Sequence, residues 1–211
     1  MYTIEDLEKN FAAAHIAIAG AGGIGSHTAT ALVRAGVGHI KIVDFDVVDT
    51  TNPARQIYTK NDIGRKKVEA LRDVLLSINP ALDLQISDDR ITSQNVFEHF
   101  GGYPIVCEAF DHPEEKAMLI NCLLSDDSPP IIISVSGMAG LYSANTICTR
   151  QAMKKLYICG DEESDIAGGE KLFAPRVLIC AGHQANMVLR LLSESELQEQ
   201  NPHQINIFNR D

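Results

Sequence analysis

Apolar residues along the chain fall into short continuous runs separated by stretches of helical period. His15 to Ala19 is a compact apolar run; glycines follow, and Ile24 to Ala35 reads as a helix, while a segment before His15 resembles a shorter one. A second run, His39 to Val43, ends in Asp44. A polar loop then leads to a helix in which Val68, Leu71, Leu75 and Ile78 recur at three- and four-residue intervals. Runs at Ile105 to Ala109 and Ile131 to Val135 alternate with a helical stretch near Glu114 to Leu124. Apolar strands alternating with helices predict an α/β protein whose doubly wound sheet is parallel in its first half and covered on both faces. Ser143 to Thr149 and Lys155 to Cys159 have no helix between them, so both are expected as antiparallel strands added in the second half. A last helix is expected from Pro175 to about Leu192, with Val177, Cys180, Ala181, Gln184 and Val188 on one face. Asp161 to Glu170, rich in Asp, Glu and Gly, is the best candidate for a mobile loop.

Composition narrows the function classes. With 211 residues, 45% of them hydrophobic and 22% charged, the chain can bury one core, and a single domain over residues 1–211 is expected. No apolar run reaches the length that crosses a bilayer, and the first ten residues lack a signal-peptide pattern, so no membrane association and a cytoplasmic location are expected. A formal charge of −10 argues against nucleic acid as the partner, since affinity for a phosphate backbone comes from clustered Lys and Arg. The five cysteines contain no C-x-x-C pair, which predicts neither disulfides nor structural zinc.

Gly20-Ala21-Gly22-Gly23-Ile24-Gly25 follows a predicted strand and opens a predicted helix, and that placement gives the G-x-G-x-x-G spacing its force. Gly20 permits a tight turn, Gly22 and Gly23 let a phosphate approach backbone N–H groups, and Gly25 lets helix and strand pack closely. Asp44, closing the next strand, stands where a carboxylate meets ribose hydroxyls. The fold expected is therefore Rossmann-like and binds a nucleotide. A nicotinamide dinucleotide satisfies this much as well as ATP does.

Residues beyond Asp44 separate the two. Asp46 comes first, then Asn52-Pro53-Ala54-Arg55-Gln56, then Gly64-Arg65-Lys66-Lys67 opening a helix. ATP carries about four negative charges against about two on a dinucleotide, so a triphosphate site adds Arg, Lys and a divalent metal. Arg55 and Lys67 are candidates for that charge; Lys67 taken alone reads rather as a solvated helix-face lysine, and its order with Asn52 and Arg55 reverses that reading. Cys107 to His112 bring two carboxylates, Glu108 and Asp111, to the C-terminal edge of the sheet, where doubly wound folds bind ligands. Asp111 is placed to hold magnesium; capping of the next helix is the plain alternative.

With these segments assembled, the chain resembles the ubiquitin-activating-enzyme-like adenylyltransferases, the ThiF/MoeB/HesA family, and most closely its short ThiF-type members. The resemblance runs from about Phe11 to Leu192, and rests on the glycine loop, Ala35 to Gly38, Val43 to Asp46, Asn52 to Gln56, Ile63 to Lys67 and Ile78-Asn79-Pro80. Ala109-Phe110-Asp111, Ser136-Gly137, Ala174 to Val177 and Gln184-Ala185-Asn186 extend it. It implies that Asp44 binds the ribose, that Asn52, Arg55 and Lys67 contact phosphates, and that Asp111 binds magnesium. Asp46 and Gln56 fall within the same nucleotide-binding segments. The activity implied is ATP-dependent adenylation of the terminal glycine carboxylate of a ubiquitin-like sulfur carrier ending in Gly-Gly, of the ThiS type used in thiamine biosynthesis, by a homodimer. Arg55, Lys67 and Asp111 would serve as the catalytic residues.

Three departures qualify the likeness. Thr51-Asn52-Pro53 stands where Ser-Asn-Leu is usual, and the paired C-x-x-C zinc site of longer members is missing. Symmetric dimers of the family often send an N-terminal arginine into the partner's site, whereas the first arginine here is Arg34, inside the glycine-loop helix, with only Lys9 basic before the first strand. Alternatives are a molybdopterin-type carrier, a modified tRNA base, a catalytically silent nucleotide-binding subunit, and a nicotinamide-dependent oxidoreductase. Cys148 and Cys159 are candidates for a covalent intermediate, with burial as the commoner fate.

Overall fold

The structure is a computed structural model that describes the backbone of residues 3–200 and the side chains of residues 3–193. Its elements, in chain order, are α1 (Ile4–Ala13), β1 (His15–Ala19), α2 (Gly23–Arg34), β2 (His39–Val43), α3 (Lys67–Ile78), β3 (Asp83–Ser87), α4 (Val96–Phe100), β4 (Ile105–Glu108), α5 (Pro113–Leu124), β5 (Ile131–Val135), β6 (Cys148–Met153), β7 (Leu156–Gly160) and α6 (Ala174–Gln200). Seven strands form one sheet in the order β3-β2-β1-β4-β5-β7-β6. Every pairing is parallel except that of β6 with β7. The expected parallel half with antiparallel strand at the far edge is therefore present.

Strand side chains alternate between two cores. Ile16, Ile18, Ile40, Ile42 and Ile133 face α2, α3 and α6, where Leu32, Leu71 and Val188 meet them. Ala17, Ala19, Val43, Val106 and Ile132 face the other way, against Phe100, Leu119 and Leu123 of α4 and α5. Both faces are covered, which is why these strands are largely apolar. In α6, Val177, Cys180, Ala181, Gln184 and Val188 are all buried, as the helical spacing predicts.

Two expectations for the second half need correction. β7 is not antiparallel to the main sheet: Ile132 to Val135 pair in parallel with Leu156 to Cys159. The chain leaves β5, passes the edge, returns as β6, and turns back into the gap between β6 and β5, so parallel pairing arises without a crossover helix. Ser143 to Thr146 is not strand either. It is a turn in which the Ser143 hydroxyl accepts the N–H of Asn145, and β6 starts only at Cys148.

The strand order reverses between β1 and β4, because β2 and β3 lie to one side of β1 and the rest of the sheet lies beyond β4. Ligands of doubly wound folds bind outside the carboxyl ends of the strands at such a switch point.

Candidate functional site

A cavity of about 500 Å3 opens at this switch point. Gly20, Gly22, Gly23, Asp44, Asp46, Arg55, Gln56, Lys67 and Asp111 all line it. Residues from Gly20 to Asp111 thus converge on one volume.

The glycine loop is built as its spacing implies. Gly20 has φ 101°, and a Cβ there would press on the carbonyl oxygen of Ala109 at 2.9 Å. Gly25 does not line the cavity; a Cβ on it would overlap the Gly20 carbonyl, so it is the residue that lets α2 close onto β1. Asp44 clamps the same loop: the Ala21 N–H donates to its Oδ2 at 2.6 Å and the Asp46 N–H to its Oδ1 at 2.8 Å. Burial raises the Asp44 carboxyl above its ordinary range, against the pull of Lys67 and of those N–H groups. Tyr58 braces the loop from beneath, its hydroxyl lying 2.7 Å from the Ala21 carbonyl oxygen and 3.2 Å from that of Lys67.

The cations stand in three different conditions. Lys67 begins α3, where its N–H donates to the Asp46 carbonyl at 2.9 Å, and its side chain, only 8% exposed, pairs with Asp46 at 2.6 Å. Arg55 has no carboxylate partner among the described residues; its one side-chain hydrogen bond is a long one of 3.4 Å to the Thr51 carbonyl. Lys116, on α5, also lines the cavity and pairs with Glu108. Asn52 stands behind the wall rather than on it: it is buried, and its Oδ1 accepts the Asp49 N–H at 3.1 Å, folding the turn that presents Arg55. Gln56 is buried at the cavity wall, with an Oε1 that meets no donor.

Asp111 lies past the end of β4 with its side chain 79% exposed, 3.7 Å from His112. It caps nothing, since α5 starts at Pro113 without a side-chain hydrogen bond at its N-terminus. Sequence reasoning brought Glu108 to the same edge but missed the partner that holds it, Lys116. Glu108 is wholly buried, and its carboxylate accepts from Lys116 at 2.9 and 3.1 Å, from the Ser134 hydroxyl at 2.6 Å and from the Phe110 N–H at 2.7 Å. Glu108 to Lys116 spans a strand end and a helix turn, so no spacing rule links them; a buried position in an all-apolar strand is the one signal available.

The far wall is the loop after β7. Glu162, Glu163, Ser164 and Asp165 line the cavity. Asp161, at the root of this loop, forms a buried ion pair with Arg176 of α6, and Arg176 also donates to the Tyr142 and Ser143 carbonyls at 3.0 and 2.8 Å. The segment expected to be mobile is thus anchored at its first residue. Cys159 is wholly buried and burial pushes its thiol up to about 11, which suits packing better than nucleophilic chemistry. Cys148 is exposed on β6 and does not line the cavity. None of the described helices is long and apolar enough to cross a membrane.

Comparison with known proteins places this chain in a family. The ThiF family model matches residues 2–211, and the chain belongs to that family. It is similar to the tRNA threonylcarbamoyladenosine dehydratase of Escherichia coli (strain K12), 37% identical over 132 residues, or 62% of this chain and 48% of the relative. It is also similar to the sulfur carrier protein ThiS adenylyltransferase of Bacillus subtilis (strain 168), 31% identical over 198 residues, or 90% of this chain and 58% of the relative. The chain therefore spans about half the length of these relatives. Among solved structures, that of the E. coli tRNA N6-threonylcarbamoyladenosine dehydratase in complex with ATP superposes with a TM-score of 0.84 at 24% identity, covering 92% of both chains, a likeness of fold.

Proposed function

We propose that this chain activates a carboxylate by adenylation, using ATP, and that the carboxylate is the terminal glycine of a ThiS-type sulfur carrier ending in Gly-Gly. The observation that carries the reading is the convergence of Arg55, Lys67 and Asp111 on the glycine-loop cavity. A dinucleotide has no need of two cations and an exposed carboxylate around its pyrophosphate.

Asp44 would take the ribose hydroxyls, and the N–H groups at the start of α2 would take the phosphates. Arg55 and Lys67 would hold the β- and γ-phosphates. One exposed carboxylate fits magnesium, because that ion completes its shell with phosphate oxygens and water; among the described residues no three His, Cys, Asp or Glu side chains gather as an all-protein cage. Held by Asp111, magnesium would neutralise charge that collects on the departing pyrophosphate. A carboxylate oxygen of the acceptor attacks the α-phosphorus, the bond to the bridging oxygen breaks, and pyrophosphate leaves with the electron pair. No proton moves, so the protein's part is positioning and charge stabilisation.

The B. subtilis relative supports the carrier as acceptor. The E. coli relative supports a second reading, a carboxylate on a modified tRNA base, against which the charge of −10 stands. The test is exchange of labelled pyrophosphate into ATP with magnesium and either acceptor. Exchange with a Gly-Gly carrier is expected. Exchange with the modified tRNA alone would move the assignment, and exchange with neither, despite ATP binding, would leave a silent subunit. A homodimer is expected, and light scattering that shows a monomer at micromolar concentrations would remove it.

A further inference from the structure

We propose that Lys116 is a catalytic residue for the acyl acceptor: its ammonium, fixed from below by Glu108, meets the substrate carboxylate and the α-phosphate as they join. The inference rests on the adenylation reading and names a residue outside the nucleotide-binding segments.

Three observations carry it. First, the pair is built rather than incidental. Glu108 is 0% exposed and spends both oxygens: Oε1 accepts from the Phe110 N–H and Lys116, Oε2 from the Ser134 hydroxyl and Lys116. A surface lysine would be free to swing, but this one is held by two charge-assisted hydrogen bonds to a carboxylate that cannot itself move. Second, an ammonium has three N–H groups, and two are used on Glu108. Lys116 lines the cavity and is 21% exposed, so the third is available to a ligand there. Third, the order of strands assigns the ligand. Asp44 follows β2, the glycine loop follows β1, Glu108 ends β4 and Ser134 lies on β5. Ribose at Asp44 and phosphates at the loop occupy the β2–β1 side and Asp111 takes the metal past β4, so the second reactant has the β5 side of the cavity, where Glu108, itself held by Ser134, anchors Lys116.

A cation there answers a specific difficulty. Adenylation brings a carboxylate anion against an anionic phosphate, and the electrostatic cost falls when a fixed positive charge lies between them. As the new oxygen–phosphorus bond forms and the bond to pyrophosphate breaks, Lys116 keeps its proton throughout. Its service is to the α-phosphate and acyl oxygens, while Arg55 and Lys67 serve the leaving group.

The alternative is that Lys116 only neutralises buried Glu108. Binding of AMP and of an acyl-sulfamoyl adenosine, a stable mimic of the acyl-adenylate, separates the two. Calorimetry is run on the wild type, Lys116→Met and the double variant Glu108→Gln/Lys116→Met, in which no buried charge is left. The wild type is expected to bind the acyl mimic at least about tenfold tighter than AMP, and both variants to lose that preference, their affinity for the mimic falling further than their affinity for AMP. Pyrophosphate exchange should fall about 10²-fold in both, with Lys116→Arg recovering part of it. If the double variant regains the preference for the mimic and the exchange rate, Lys116 is a neutraliser and the proposal is overturned. A wild type that itself binds both ligands equally would overturn the adenylation reading and this proposal with it.

Discussion

Lys67 Nζ lies 2.6 Å from Asp46 Oδ2 at the wall of the cavity, so the cation proposed for the triphosphate is positioned by a carboxylate. If Arg55 and Lys67 hold the triphosphate, losing either should harm ATP turnover and not AMP binding. Lys67→Met should spare AMP binding and lower pyrophosphate exchange about 10²- to 10³-fold, the usual effect of losing one preorganised charge donor. Arg55→Ala should do comparable harm. Lys66→Ala should stay within about twofold, because Lys66 pairs with Asp88 away from the cavity and exposed pairs contribute little. Equal rates in all three variants would return the site to the dinucleotide reading.

Asp44 predicts a different pattern. If it binds the ribose, Asp44→Ala should weaken adenosine, AMP and ATP alike. It also holds two loop N–H groups, Ala21 and Asp46, so the same change should loosen the glycine loop. Hydrogen exchange at Ala21 should rise in the variant without nucleotide. Loss of ATP binding with adenosine unchanged would take the ribose from Asp44.

These residues were legible in the sequence because each belongs to a local signature: glycines between strand and helix, an acid at a strand end, cations opening the next helix. What was not legible lacked such a signature. β3, with Leu84 and Ile86 its only apolar residues, is an edge strand half-exposed along its length, so its pattern stays weak. α4 has five residues, too few to display a helical period. The parallel pairing of β7 depends on where β6 lies, which is settled by tertiary packing. Glu108 and Lys116 were invisible as a pair for the same reason: burial joins them, and spacing does not.

Gln184 is a structural counterpart on α6. Its side-chain amide donates to the Glu108 carbonyl at 2.9 Å and the Ile133 carbonyl at 2.7 Å, and its Oε1 accepts from the Thr28 hydroxyl at 2.8 Å. One wholly buried residue thus ties β4, β5 and α2 together. Gln184→Leu takes a donor from two buried carbonyls and leaves the Thr28 hydroxyl only its 3.4 Å bond to the Ala181 carbonyl, and should cost about 2–4 kcal/mol in urea unfolding. A loss below about 1 kcal/mol would mean that the strands hold without it.

Asp161 and Arg176 give the stability of the acidic wall a defined pH dependence. Their side chains are 7% and 4% exposed, and Arg176 joins the loop after β7 to the turn at Tyr142 and Ser143. Burial pushes the Asp161 carboxyl up, but the N–H groups of Ser164 and Glu163, the Ser164 hydroxyl and Arg176 outweigh it, leaving the group below its ordinary value of 3.8. A carboxyl lowered by folding contributes stability that is present above its unfolded value and lost as pH falls through the folded one. The contribution should therefore be intact at neutral pH and disappear below pH 3.8. Asp161→Asn keeps the shape but leaves the Arg176 charge buried without a partner, which typically costs about 3–5 kcal/mol. Urea unfolding of the wild type and Asp161→Asn between pH 7 and pH 3 should show that gap at the neutral end. It should close in acid as the wild-type carboxyl takes up its proton. A gap that stays constant across the series would show that Asp161 acts through its hydrogen bonds alone and that its charge contributes nothing to holding the wall.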